Sequence, residues 1–102
     1  MELNNTQAAE IFAQLGNETR LCIVRILVEA GAAGVSVGDI QKEIVIPAST
    51  LSHHLMHLRS AGLIEQRRSG RTLFCAANYD KLQQCLDYLQ TNCCIRVKST
   101  AE

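Results

Sequence analysis

Apolar residues recur along this chain in short helical periods broken by glycine, then give way late in the sequence to alternation. In residues 5 to 15 they fall at Ala8, Ile11, Phe12 and Leu15, the three-and-four spacing of an amphipathic helix, with Gly16 to end it. Asn17 can cap a second helix reaching Ala30, on which Leu21, Val24, Ile26, Leu27 and Val28 predict a broad buried face. Gly31 to Gly34 form a loop. Ser36 then caps a third helix running to about Ile44, with Asp39 three residues on as a short capping box. A break at Val45 to Pro47 leads into a fourth helix. There Leu51, Leu55, Leu58 and Gly62 share one stripe, while Ser49, Thr50, His53, Met56 and His57 lie opposite. Gly62 stops this helix, and Leu63 and Ile64 start a strand. Arg67-Arg68-Ser69-Gly70-Arg71 make a turn before a second strand from Thr72 to Ala77. Asn78 or Asp80 begins a last helix with Leu82, Leu86 and Leu89 on one side.

Two helices joined by a short turn and followed by a basic hairpin predict a winged helix-turn-helix, mainly α with a β-hairpin wing, as one domain over residues 1–102. The outer face of the fourth helix is polar but nearly uncharged. Such a face suits hydrogen bonding to base edges in a major groove, which makes Ser49, Thr50, Ser52, His53 and His57 the candidate DNA-reading or positioning residues. Arg67, Arg68 and Arg71 on the hairpin are placed to reach phosphate or a narrow minor groove. His53 and His57 have a metal-binding spacing, but one pair is insufficient for zinc, so contact with DNA or solvent is expected. His54, beside the buried stripe, is expected to be a hydrogen-bonded structural residue, and Arg59 to touch phosphate or pair with an acid.

Net charge is zero, which at first sight argues against nucleic acid. Its distribution argues the other way: between Pro47 and Arg71 four arginines face one acid, so that segment is +3 and the remainder −3. With 102 residues the chain buries a limited core alone, yet 47% of it is apolar, an excess that an obligate oligomer accounts for. There is no run of transmembrane length, and the acidic, amphipathic start does not look like a signal peptide. No nucleophile and base spacing, phosphate loop or paired carboxylate motif points to an enzyme, and nothing implies an organic cofactor.

With this order of elements, the residues Leu15-Gly-Asn-Glu-Thr-Arg-Leu21, Val35-Ser-Val-Gly-Asp-Ile40, Ser49-Thr-Leu-Ser-His-His-Leu55, Leu58-Arg-Ser-Ala-Gly-Leu-Ile64 and Gly70-Arg71 resemble the ArsR/SmtB family of winged-helix repressors over nearly the whole chain. The resemblance implies a cytoplasmic homodimer built on the first and last helices and an operator of two-fold symmetry. It further implies release of DNA when a metal, metalloid or oxidant reacts with cysteines. The sensing chemistry is then sought in Cys22, Cys75, Cys85, Cys93 and Cys94. The family's Cys-Val-Cys at the start of the third helix is replaced by Ser36-Val37-Gly38, and residues 78 to 94 contain no His or Glu for its zinc pattern on the last helix. What remains is Asn92-Cys93-Cys94, which resembles the arsenic-responsive members whose Cys-Cys pair stands on the last helix. In one branch of these a third cysteine follows six residues later, where this chain has Thr100.

Adjacent cysteines in a regular helix diverge, but a frayed terminal turn lets both sulfurs converge on one centre. Trivalent arsenic is thiophilic, and two thiols leave one of its valences free, which suits a methylated or arylated arsenical. Inorganic arsenite or antimonite would prefer a third thiol, for which Cys75 of the partner subunit is a candidate. Cys85 is expected to pack, and Cys22, which interrupts an apolar helix, to be inert core. Cys75 alternates with Leu73 on a strand, and core is favoured there too. The expected function is an arsenic-responsive repressor that binds operator DNA as a homodimer and is released when a trivalent arsenical binds Cys93 and Cys94. Two alternatives stand beside it. One is a thiol redox or sulfide-stress sensing repressor of the same family; the other is an interaction or metalloid-sequestering module that does not bind DNA.

Overall fold

Short polar side chains start four of the five helices. In the computed structural model, which describes residues 2–97, Asn4 and Gln7 close a reciprocal capping box at the head of α1 (Asn5–Leu15). Asn17 accepts from the Arg20 amide at the start of α2 (Glu18–Ala30). Ser36 does the same for Asp39 at α3 (Val37–Glu43), and Asn78 for Lys81 at α5 (Tyr79–Gln90). Each cap satisfies an amide that the first helical turn leaves unpaired. The exception is α4 (Ala48–Ser60), preceded by Pro47 with no side-chain cap. The turn before it is held instead by Gln41, whose Nε2 donates to the Ile46 carbonyl at 3.1 Å.

Three antiparallel strands complete the fold: β1 (Val35–Ser36), β2 (Ile64–Ser69) and β3 (Thr72–Ala77), in the order β1-β3-β2. The expected architecture is present with one strand more than the two anticipated. β1 is only two residues long and runs straight into the α3 cap, so no alternation reveals it. Gly34, at φ 82°, admits it to the sheet: a Cβ there would stand 2.5 Å from the Cys75 carbonyl oxygen, so only glycine allows this backbone approach. In the hairpin Ser69 pairs with Thr72, leaving Gly70 and Arg71 as a two-residue turn with Gly70 at φ 63°. Arg67 and Arg68, expected in the turn, therefore belong to β2.

The core is made where α2, α4 and the sheet meet. Ile23, Leu27, Ile40, Leu51, Leu58 and Leu63 are fully buried. On α2 the inward stripe is Ile23, Val24 and Leu27, which turns Leu21 and Cys22 outward. The expectation of a buried Leu21 and an inert, buried Cys22 was wrong. Six apolar residues between 21 and 28 crowd this helix, and the phase of its buried face is decided by contact with α4 and β3 rather than by apolarity. Cys75 and Cys85 are buried as expected. The Tyr79 hydroxyl donates to the Val28 carbonyl at 3.0 Å and that of Tyr88 to Asn5 Oδ1 at 2.9 Å, which ties α5 to α2 and α1. Leu82 packs on the core; Leu86 and Leu89 remain 54% and 68% exposed. No helix among the described residues is long and apolar enough to cross a membrane, and Thr100 lies outside them.

Candidate nucleic-acid interface and thiol pair

Burial of Leu51, Leu55 and Leu58 fixes the rotation of α4, and through it what the helix shows to solvent. Ser49, Thr50, Ser52 and His53 are exposed and His57 half-exposed. The two imidazoles meet edge to face with Nε2 atoms 3.0 Å apart. Val45 in the preceding turn is 93% exposed and Met56 is 47% exposed on the same helix. Val45 was missed by sequence reasoning, because an apolar residue in a turn gives no periodic signal. On the opposite flank His54 accepts from Arg20 Nη1 at 3.5 Å, the hydrogen-bonded structural role expected of it. Burial, and after it the charges of Arg20, His53 and His57, hold the His54 pKa below the ordinary histidine value.

The wing arginines differ from one another. The Arg68 and Arg71 side chains are exposed, and no hydrogen bond or salt bridge ties either guanidinium among the described residues. The Arg67 guanidinium donates to the Ala33 carbonyl at 3.1 Å and lies 5.0 Å from the centre of the Phe74 ring, which fastens the wing to the α2–β1 loop. Arg59, expected on phosphate or an acid, donates instead to Gln66 Oε1 at 3.1 Å and fixes the end of α4 to β2.

Beyond α5 the chain continues in tight turns, with the amides of Cys93, Ile95 and Val97 bonded to the carbonyls three residues before them. Asn92 and Cys94 adopt φ of 61° and 64°, left-handed values uncommon for residues other than glycine. This kinked path places the exposed Cys93 and Cys94 sulfurs 3.4 Å apart, beside the exposed side chains of Ile95 and Val97. The other two α5 and sheet thiols are of a different kind. Burial pushes both Cys75 and Cys85 up, against a partial opposing effect of the Gln66 amide on the first and of Lys81 on the second. Cys75 is held in the sheet, with Gln66 Nε2 donating to its sulfur at 3.5 Å.

A family model described as a helix-turn-helix domain matches residues 15–67, from the end of α1 into β2. The biofilm growth-associated repressor of Xylella fastidiosa is 33% identical over 98 residues, covering 96% of this chain and 83% of that protein. An ArsR-like transcriptional regulator from Rhodococcus sp. RHA1 superposes with a TM-score of 0.73 at 27% identity, over 83% of this chain and 77% of that one. The chain belongs to the ArsR/SmtB family of helix-turn-helix transcriptional regulators. It is a DNA-binding regulator and not an enzyme. HlyU from Vibrio cholerae, a transcriptional activator, is similar as well, with a TM-score of 0.69 and 29% identity over 92% of this chain and 99% of that one. The relatives of this ArsR/SmtB regulator thus include both a repressor and an activator.

Proposed function

We propose that the chain is a repressor that binds two-fold operator DNA as a homodimer and is released when a trivalent organic arsenical bridges Cys93 and Cys94. The observation that carries this is the 3.4 Å gap between two exposed sulfurs. With bonds of about 2.3 Å, as thiolates make to comparable centres, that gap corresponds to an angle of about 95° at the bridging atom, near the right angle of a pyramidal trivalent centre. A methylarsenite bearing two hydroxyls forms two As–S bonds here; each hydroxyl leaves as water with a thiol proton, and the carbon substituent stays on arsenic. Ile95 and Val97, 69% and 60% exposed, offer that substituent an apolar neighbour. Cys75 is a poor third ligand in this scheme, since it is buried between strands and would have to leave the sheet.

On DNA, Ser49, Thr50, Ser52, His53 and His57 read or position bases, and Arg68 and Arg71 hold phosphate; Arg67 contributes mainly by fixing the wing. The exposed Leu86 and Leu89 supply the dimer face on α5, as an apolar pair at three-residue spacing favours. Closing the two thiols around arsenic constrains the turn that follows Gln90. That strains the last turn of α5, which bears Leu89, and alters the spacing of the two reading helices. Linkage is reciprocal, so the arsenical binds less tightly to the DNA-bound protein.

The alternative within the family is a redox switch joining Cys93 to Cys94. That bond would draw the two sulfurs from 3.4 Å to about 2.05 Å and pass two electrons to an oxidant, so it needs an oxidant where the arsenical needs none. Native mass spectrometry with methylarsenite tests the assignment. One arsenic per chain, lost in Cys93→Ser and retained in Cys75→Ser, supports it; retention in Cys93→Ser overturns it.

A further inference from the structure

Among the described residues, the imidazoles of His53 and His57 form a pair of metal-ligating side chains in contact that the sensing scheme leaves unused. They stand one turn apart on α4, and the 3.0 Å between their Nε2 atoms is bridged by a hydrogen bond in which one ring donates and the other accepts. Neither ring has another hydrogen-bond partner among the described residues. The same 3.0 Å is the distance between neighbouring ligand atoms around a metal. With metal–imidazole bonds of about 2.0–2.1 Å it spans an angle of about 95°, closer to the right angle of tetragonal or octahedral coordination than to a tetrahedron.

We infer that His53 and His57 form a two-ligand site for an imidazole-preferring divalent transition cation, Ni(II) or Cu(II), and that its occupation opposes operator binding. Tetragonal nitrogen and oxygen coordination is characteristic of these two ions. Among the described residues no third His, Cys, Asp or Glu completes a cluster, so water fills the remaining positions and zinc, which favours four protein ligands, is not selected. Binding needs no oxidant or net loss of protons from neutral rings: the bridging proton moves to Nδ1 of its own imidazole, and each Nε2 lone pair goes to the cation. A hydrated cation on this face stands where base edges would approach His53 and His57. The site rests on geometry alone. Its effect on DNA rests on α4 being the reading helix.

Calorimetric titration of untagged protein with NiCl2 tests the site, in a Cys93→Ser/Cys94→Ser background so that the tail thiols take no metal. One Ni(II) per chain is expected, with affinity about tenfold weaker in His53→Asn or His57→Asn, because each loses one arm of a chelate. An isotherm unchanged in both variants overturns the site. Operator anisotropy then compares each protein with itself, with and without NiCl2, so that any direct effect of a substitution on DNA binding cancels. At ten times the parent's dissociation constant for the cation, operator affinity should fall about tenfold per reading helix in the parent and only about twofold in the variants. Unchanged or strengthened operator binding in the parent overturns the competition. A parent that binds no operator in metal-free buffer speaks against α4 as reading helix, and the calorimetry still decides the site.

Discussion

Removing the wing arginines one at a time separates those that hold DNA from the one that holds the wing. Arg68 and Arg71 are exposed without protein partners among the described residues, whereas Arg67 is committed to the Ala33 carbonyl and the Phe74 ring. Each phosphate contact contributes about 0.9 to the slope of log affinity against log salt. In a homodimer, Arg68→Ala therefore lowers that slope by about 1.8, and Arg68→Ala with Arg71→Ala by about 3.6. Between 50 and 200 mM salt the parent should then lose about a hundredfold more affinity than the double variant. Arg67→Ala should leave the slope near the parent value. It costs about 1 kcal/mol of stability, through one hydrogen bond and one cation–π contact at an exposed site. Fluorescence anisotropy on promoter DNA at five or six salt concentrations reads the slopes, and thermal unfolding reads the stability. A slope that falls as far in Arg67→Ala as in Arg68→Ala would refute the division of roles. So would a double variant that keeps the parent's salt dependence.

Other consequences follow from the same geometry. Iodoacetamide at neutral pH should label Cys22, Cys93 and Cys94 in the folded protein and spare Cys75 and Cys85, whose thiols are buried and shifted upward; peptide mass mapping reads the pattern, and early labelling of Cys75 contradicts it. Because the folded state holds the His54 pKa down, the unfolded chain binds more protons as pH falls below about 6.5. The His54 contribution to stability is thus present above that pH and lost below it, and His54→Gln should flatten urea midpoints measured between pH 7 and 5. Leu86→Glu with Leu89→Glu should give a folded monomer by sedimentation, with operator affinity reduced by at least about a hundredfold, since one reading helix replaces two.

The order of elements was legible because four of the five helices carry a side-chain cap, because apolar residues recur at helical spacing, and because the hairpin alternates. Thr72 to Ala77 and the start of α2 at Asn17 fall where the sequence put them. The rotation of α2 was not legible. Its run from Leu21 to Val28 is apolar on nearly every side, so only packing against α4 and β3 decides that Ile23 turns in and Cys22 out. β1 was hidden for a related reason, since a two-residue strand has no period and is specified by a partner 40 residues away, Val35 opposite Cys75. In the candidate interface, the residue types on α4 could be read, but not the tie between Arg67 and Ala33 across 34 positions. The nearness of the Cys93 and Cys94 sulfurs depends on left-handed backbone at Asn92, a residue type that tolerates it past a helix end, and at Cys94, whose type gives no such signal.

The most direct test of arsenical release is anisotropy of the chain on DNA from its own promoter, titrated with methylarsenite in excess monothiol reductant. Dissociation near one equivalent per subunit, abolished by Cys93→Ser, is the predicted result. A complex that survives saturating arsenical and yields only to oxidant contradicts it and makes the thiol pair a redox switch.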